Sequence, residues 1–121
     1  MKKLPKSEHQ VIKYIWSRGE GEVSSKDITD YMGESYDWSK GTTSKVLSRL
    51  VEKGFLESFK EGRSTIYKVL VGSEEYIKFE TEEFFSFVHN GSLKSIVSTL
   101  GESNAISEDD IKELEQWIKS R

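Results

Sequence analysis

Residues 38–54 read WSKGTTSKVLSRLVEKG. Apolar residues recur through the stretch at helical spacing, which predicts a helix capped by Ser39 and ended by Gly54. Glycine at that stop tolerates the left-handed conformation that closes many helices. On a helical wheel, Thr43, Val46, Leu47, Leu50 and Val51 share one side. Thr42, Lys45, Arg49 and Lys53 cluster on another, centred roughly a third of a turn away. The positive stripe therefore flanks the buried face and stays accessible. A stripe of this kind is either a solvated face or a surface for a polyanion, and the flanking segments bear on the choice.

The next residues, FLESFKEGRSTIYKVL (55–70), hold two β-favouring runs, Phe55–Phe59 and Thr65–Leu70. KEGR between them supplies a glycine for a positive-φ turn and a basic tip, Lys60 and Arg63. Upstream, Val11, Ile12, Tyr14, Ile15 and Trp16 form the apolar face of a first helix, with Ser7 expected as its cap and Gly19 and Gly21 as its stop. Glu22-Val23 is a candidate for a very short strand. Ser24 and Asp27 are spaced like a capping box at the start of a second helix, expected to end at Gly33. Three short helices followed by a basic-tipped hairpin is the winged helix-turn-helix plan. In that plan the third helix enters the major groove, and the wing reaches phosphate or the minor groove.

From Ser73 the composition changes. Residues 73–90, 91–101 and 107–121 read as three further helices, rich in aromatic and apolar groups and without strand signal. Ser107 and Asp110 are spaced as a second capping box, and Glu108, Asp109 and Asp110 suit a helix N-terminus. Three such helices bury too little surface alone, and a second copy would supply the missing core. The residues expected to pair the copies are Tyr76, Phe79, Phe84, Phe87, Leu93, Ile96, Val97, Leu100, Ile111, Leu114, Trp117 and Ile118. The alternative is that this half packs back on the first. The expected division is a winged-helix domain at 1–72 and a helical dimerisation domain at 73–121, with the boundary at Val71-Gly72-Ser73.

The 121 residues carry a net charge of −3, but that charge is divided. Residues 1–72 hold 13 Lys/Arg against 10 Asp/Glu, whereas residues 73–121 hold 5 against 11. A basic half joined to an acidic half points to a polyanion partner for the first. The chain has no cysteine, which excludes disulfides, thiolate metal sites and a cysteine nucleophile. No apolar run reaches the ~18 residues of a membrane span, and the N-terminus has no apolar signal region, so a cytoplasmic protein is expected. His9 and His89 have no neighbours that complete a metal set. GEGE (19–22) lacks the lysine and hydroxyl of a phosphate-binding loop. No nucleophile elbow occurs. Neither a cofactor nor an enzyme activity is expected.

Trp38, Ser39, Thr42, Leu47, Arg49, Leu50, Lys53 and Gly54, then Lys60, Glu61, Gly62, Arg63 and Tyr67, then Phe84, Phe85, Asn90, Gly91, Leu93, Ser95 and Val97 form a spaced pattern. It resembles the penicillinase-repressor family (BlaI, MecI) and its copper-responsive relatives (CopY), across nearly the whole chain. The resemblance implies a bacterial homodimeric repressor whose winged helix binds an inverted-repeat operator and whose C-terminal helices dimerise. Two departures concern its signal. Copper-type members carry CxC motifs, and this sequence has no cysteine. Penicillinase-type members are cut at an Asn-Phe bond, where this sequence has Thr99-Leu100.

A dimeric repressor is thus expected, with double-stranded DNA as partner and an inducer or protease acting on the C-terminal helices. Thr42, Ser44 and Lys45 are expected at base edges or nearby phosphates, and Lys40, Arg49, Lys60 and Arg63 mostly at phosphates. Ser39 caps the helix. Ser25 and Lys26 would meet phosphate at the start of the second helix. Arg49 has a competing structural reading, as partner of acidic residues on the second helix. Gly41 either brings the helix N-terminus close to DNA or is simply tolerated in a first turn. The rival function is a winged-helix adaptor that binds proteins rather than a DNA sequence.

Overall fold

Pro5, not Ser7, begins the first helix. Its ring holds φ at −59°, and its carbonyl accepts the N–H of His9. The computed structural model describes residues 1–121, and in it α1 spans Lys6–Arg18. Ser7 lies inside the first turn, where proline's fixed φ already sets the entry. Gly19 closes α1 in the left-handed conformation. The buried positions are Glu8, Val11, Ile12 and Ile15, the i, i+3, i+4, i+7 spacing of one helix face.

A short strand β1 (Glu22–Ser24) leads into α2 (Ser25–Tyr36). Ser24 caps α2 by accepting the Asp27 N–H, but the reciprocal half of the expected box is not formed. The helix also runs through Gly33. It ends instead at Asp37, which takes the left-handed cap at φ 58°, a conformation Asp and Asn tolerate better than most residues. Helix α3 (Lys40–Glu52) is capped by Ser39 as expected. It ends in a Schellman turn: Phe55 N–H donates to Leu50 C=O and Gly54 N–H to Val51 C=O. Gly54 sits at φ 81°, a region in which a Cβ would be strained.

Strands β2 (Leu56–Glu61) and β3 (Ser64–Val69) form the wing. β1 pairs with the outer edge of β3, giving an antiparallel sheet in the order β1-β3-β2. α1, α2, α3 and this sheet enclose a core that includes Val11, Ile12, Ile28, Met32, Leu47, Leu50, Phe55 and Leu56.

Tyr76 belongs to that core. It lies in α4 (Ser73–Glu83) and is fully buried, edge-on to Phe55 and His9. Its hydroxyl accepts the Leu4 N–H at 2.7 Å. Phe79 packs against the same cluster, and the Trp16 indole N–H donates to the Val71 carbonyl. The chain accordingly divides into Met1–Phe79 and Glu80–Arg121. The expectation that Tyr76 pairs two copies is corrected, because its ring is fully buried in the first core; Phe79 is half-buried beside that core. The shift in composition at Ser73 is not the boundary of packing.

The second unit contains the end of α4, a π-helical turn at Phe84–Val88, α5 (Leu93–Glu102) and α6 (Glu108–Lys119). Asn90 and Gly91, both at positive φ, turn the chain into α5, which Ser92 caps. His89 Nδ1 lies 2.7 Å from Ser95 Oγ. The expected Ser107–Asp110 capping box is complete. No residue of α5 or α6 is buried.

Candidate nucleic-acid interface

The expected DNA-facing residues of α3 are brought to one accessible surface. Ser39, Lys40, Gly41, Thr42, Ser44, Lys45 and Arg49 are all exposed, while Thr43, Val46, Leu47 and Leu50 are buried behind them. The Ser39 hydroxyl works twice. It accepts the Thr42 N–H at 3.1 Å and donates to Thr42 Oγ1 at 3.0 Å. Thr42 keeps its own hydroxyl proton for an outside acceptor. The two N–H groups of Lys40 and Gly41 point from the positive end of the helix dipole, which suits a phosphate.

Arg49 and Lys45 form no ion pair within the chain. Arg49 is exposed and is not joined to the acidic residues of α2 by an ion pair. Lys53 behaves differently. Its ammonium is paired with the carboxylate of Glu8 on α1, and it is withdrawn from the positive stripe on which the helical wheel places it. Glu8 is the residue that pattern reading missed. The signal was present, since a carboxylate at position 8 shares the apolar face of Val11, Ile12 and Ile15 and demands a buried partner.

A Cβ built on Gly41 would meet only Ser39 Oγ, at 3.9 Å, an ordinary contact. Its φ is not in the positive region. Nothing in the fold requires glycine there.

The wing tip is a two-residue turn, Gly62-Arg63, closing the Glu61–Ser64 pair. Gly62 holds φ 62° and Arg63 does not share that conformation, the pattern of a tight hairpin turn with glycine first. Arg63 is exposed at the tip. Lys60 donates to Thr65 Oγ1 across the ladder at 2.7 Å. Alternation along β2 puts Lys60 on the face opposite Glu57 and Glu61, so the strand sorts its charges by side. At the start of α2, Ser25 is half-buried and Lys26 is exposed. Lys26 is shared with Asp30 at 3.2 Å, which reduces its pull on a phosphate.

Dividing the charge at Phe79 leaves the first unit with 14 Lys/Arg against 12 Asp/Glu and the second with 4 against 9. The asymmetry survives the shift of boundary. The first unit's excess is small, so the placement of its cations on α3 and the wing matters more than their number.

A winged helix with an exposed cationic third helix and a basic wing tip defines a class, the winged-helix DNA-binding proteins. The chain belongs to the penicillinase repressor family, whose model matches residues 4–120; this is a family of repressors rather than enzymes. The penicillinase repressor of Bacillus licheniformis is 31% identical over 98% of this chain and 94% of its own. The solution structure of the DNA-binding domain of the repressor BlaI superposes with a TM-score of 0.53 at 30% identity, over 63% of this chain and 94% of that one. The Bacillus licheniformis BlaI monomer, in complex with the blaP half-operator, superposes with a TM-score of 0.53 at 27% identity, over 62% and 89%. No helix of the chain is long and apolar enough to cross a membrane.

Proposed function

We propose that this repressor acts as a homodimer on an inverted-repeat operator, with α3 of each protomer reading one half-site. The observation that carries the reading is the α3 surface: Lys40, Lys45 and Arg49 exposed beside a closed apolar face. Thr42, Ser44 and Lys45 meet base edges or adjoining phosphates. Lys40, Arg49, Lys60 and Arg63 hold the backbone, and Ser25 and Lys26 add a weaker phosphate contact. The half-operator bound by the BlaI monomer supports one half-site per protomer.

Dimerisation is assigned to the second unit. Phe87 is 82% exposed, and Leu93, Trp117 and Ile118 are each more than half exposed. Apolar surface of that extent on α5, α6 and the π turn calls for a partner, and a second copy of the same helices is a self-complementary one. Linking two half-site readers raises effective affinity by ~10²–10⁴. An inducer or protease that loosens the second unit therefore releases the operator. Such a protein works in the cytoplasm, where the chromosome is.

The test is fluorescence anisotropy of the purified protein on its own upstream promoter DNA and on scrambled DNA, at several salt concentrations. Tight, salt-sensitive, sequence-selective binding with two protomers per site is expected. Equal binding to both DNAs at every salt would replace the reading with that of a protein-binding adaptor.

A further inference from the structure

Glu8 is 2% exposed, and it lies in the first turn of α1. Lys53 follows the last turn of α3, where its own N–H donates to the Arg49 carbonyl. The two are joined across 45 residues of sequence by an ammonium–carboxylate hydrogen bond. We propose that the Glu8–Lys53 ion pair is a positioning device for the recognition helix: it fixes the end of α3 against α1 and thereby the register in which Thr42, Ser44 and Lys45 meet the bases. The proposal rests on the DNA-binding reading above.

Three observations support it. First, the other α3 side chains that face the core are Thr43, Val46, Leu47 and Leu50, all buried, and Val51, which packs against it; four of the five are apolar. Apolar contact is non-directional and tolerates small slides and rotations. A charge-assisted hydrogen bond does not, because it weakens steeply away from its short distance and line. Second, both charges sit at the helix ends that favour them, a carboxylate at an N-terminus and an ammonium at a C-terminus. The pair thus ties a chain end of α1 to a chain end of α3. Third, an ion pair with one partner buried and the other partly exposed, here Glu8 and Lys53, contributes little net stability compared with apolar residues of similar size. What it supplies beyond such residues is a single geometry. Lys53 is then a positioning residue whose charge is spent inside the fold, although it lies in line with Lys45 and Arg49.

The test uses the full chain and the two DNAs already named. In Glu8→Leu/Lys53→Met, burial is kept and direction is lost. Binding to scrambled DNA and the salt dependence should match the wild type, while preference for the operator falls about tenfold, the scale of one lost base contact. Glu8→Asp keeps every charge but shortens the arm by one methylene. It should lower the preference severalfold with scrambled DNA unaffected, and it serves if the apolar variant does not fold. A folded variant of either kind with full operator preference overturns the proposal. So does a salt slope reduced by about one in the apolar variant, because Lys53 would then be a phosphate contact. A wild type without operator preference overturns the DNA-binding reading itself and this proposal with it.

Discussion

Thr43 and Lys45 are two residues apart on α3 and face opposite worlds. Thr43 is fully buried, and its hydroxyl has no hydrogen-bond partner. A buried hydroxyl left unpaired costs about 1–3 kcal/mol, and valine has nearly its shape. Thr43→Val should therefore raise stability by about 1 kcal/mol in urea titration and leave operator affinity unchanged. Lys45 is exposed and unpaired. Lys45→Ala should weaken operator binding and flatten the plot of log affinity against log salt by about one phosphate contact. An unchanged slope with altered base preference would make Lys45 a base reader. The burial of one and the exposure of the other were legible in the sequence, because 3.6-residue periodicity separates the two faces of one helix. Lys53 was not, since its partner is 45 residues away and a helical wheel knows only its own helix.

At the scale of elements, boundaries were legible where a side chain or a glycine sets them locally. Ser39 and Gly54 bracket α3, and Ser107 with Asp110 opens α6, as their spacing predicts. Gly33 did not stop α2, because Asp37 could take the left-handed cap one turn later. The π turn at Phe84–Val88 has no residue pattern that distinguishes it from ordinary helix. The α6 capping box carries a pH dependence. Hydrogen bonds from the Ser107 backbone and side chain hold the Asp110 carboxyl below its ordinary value. A carboxylate depressed in the folded state contributes stability that is present above the unfolded value and is lost as pH falls through the folded one. Far-UV circular dichroism should show α6 weakening on acidification below the ordinary carboxylate range. In Asp110→Asn that component should vanish, leaving a weaker α6 at neutral pH.

For the whole molecule, the shift from basic to acidic composition was legible, but it does not coincide with the division of the fold. Charge is a property of surfaces, whereas Tyr76 and Phe79 are enlisted by a core that α1, α3 and the sheet leave open. A fragment ending at residue 79 should fold cooperatively and bind a half-operator more weakly than the full chain binds its operator. A fragment ending at residue 72 lacks the Tyr76 ring, whose loss is worth about 3–5 kcal/mol by analogy with other buried aromatics. That is comparable with the ~4–12 kcal/mol total stability of a domain this size. Thermal unfolding of the two fragments checks this, and equal midpoints would refute the assignment of Tyr76 to the core. The same side chain sets an order of events during synthesis. Domains fold as they emerge, N-terminal first, yet here the first one cannot close until the ribosome has released the opening turns of α4. A nascent chain is therefore committed to its winged-helix fold only once the start of the acidic half has been made.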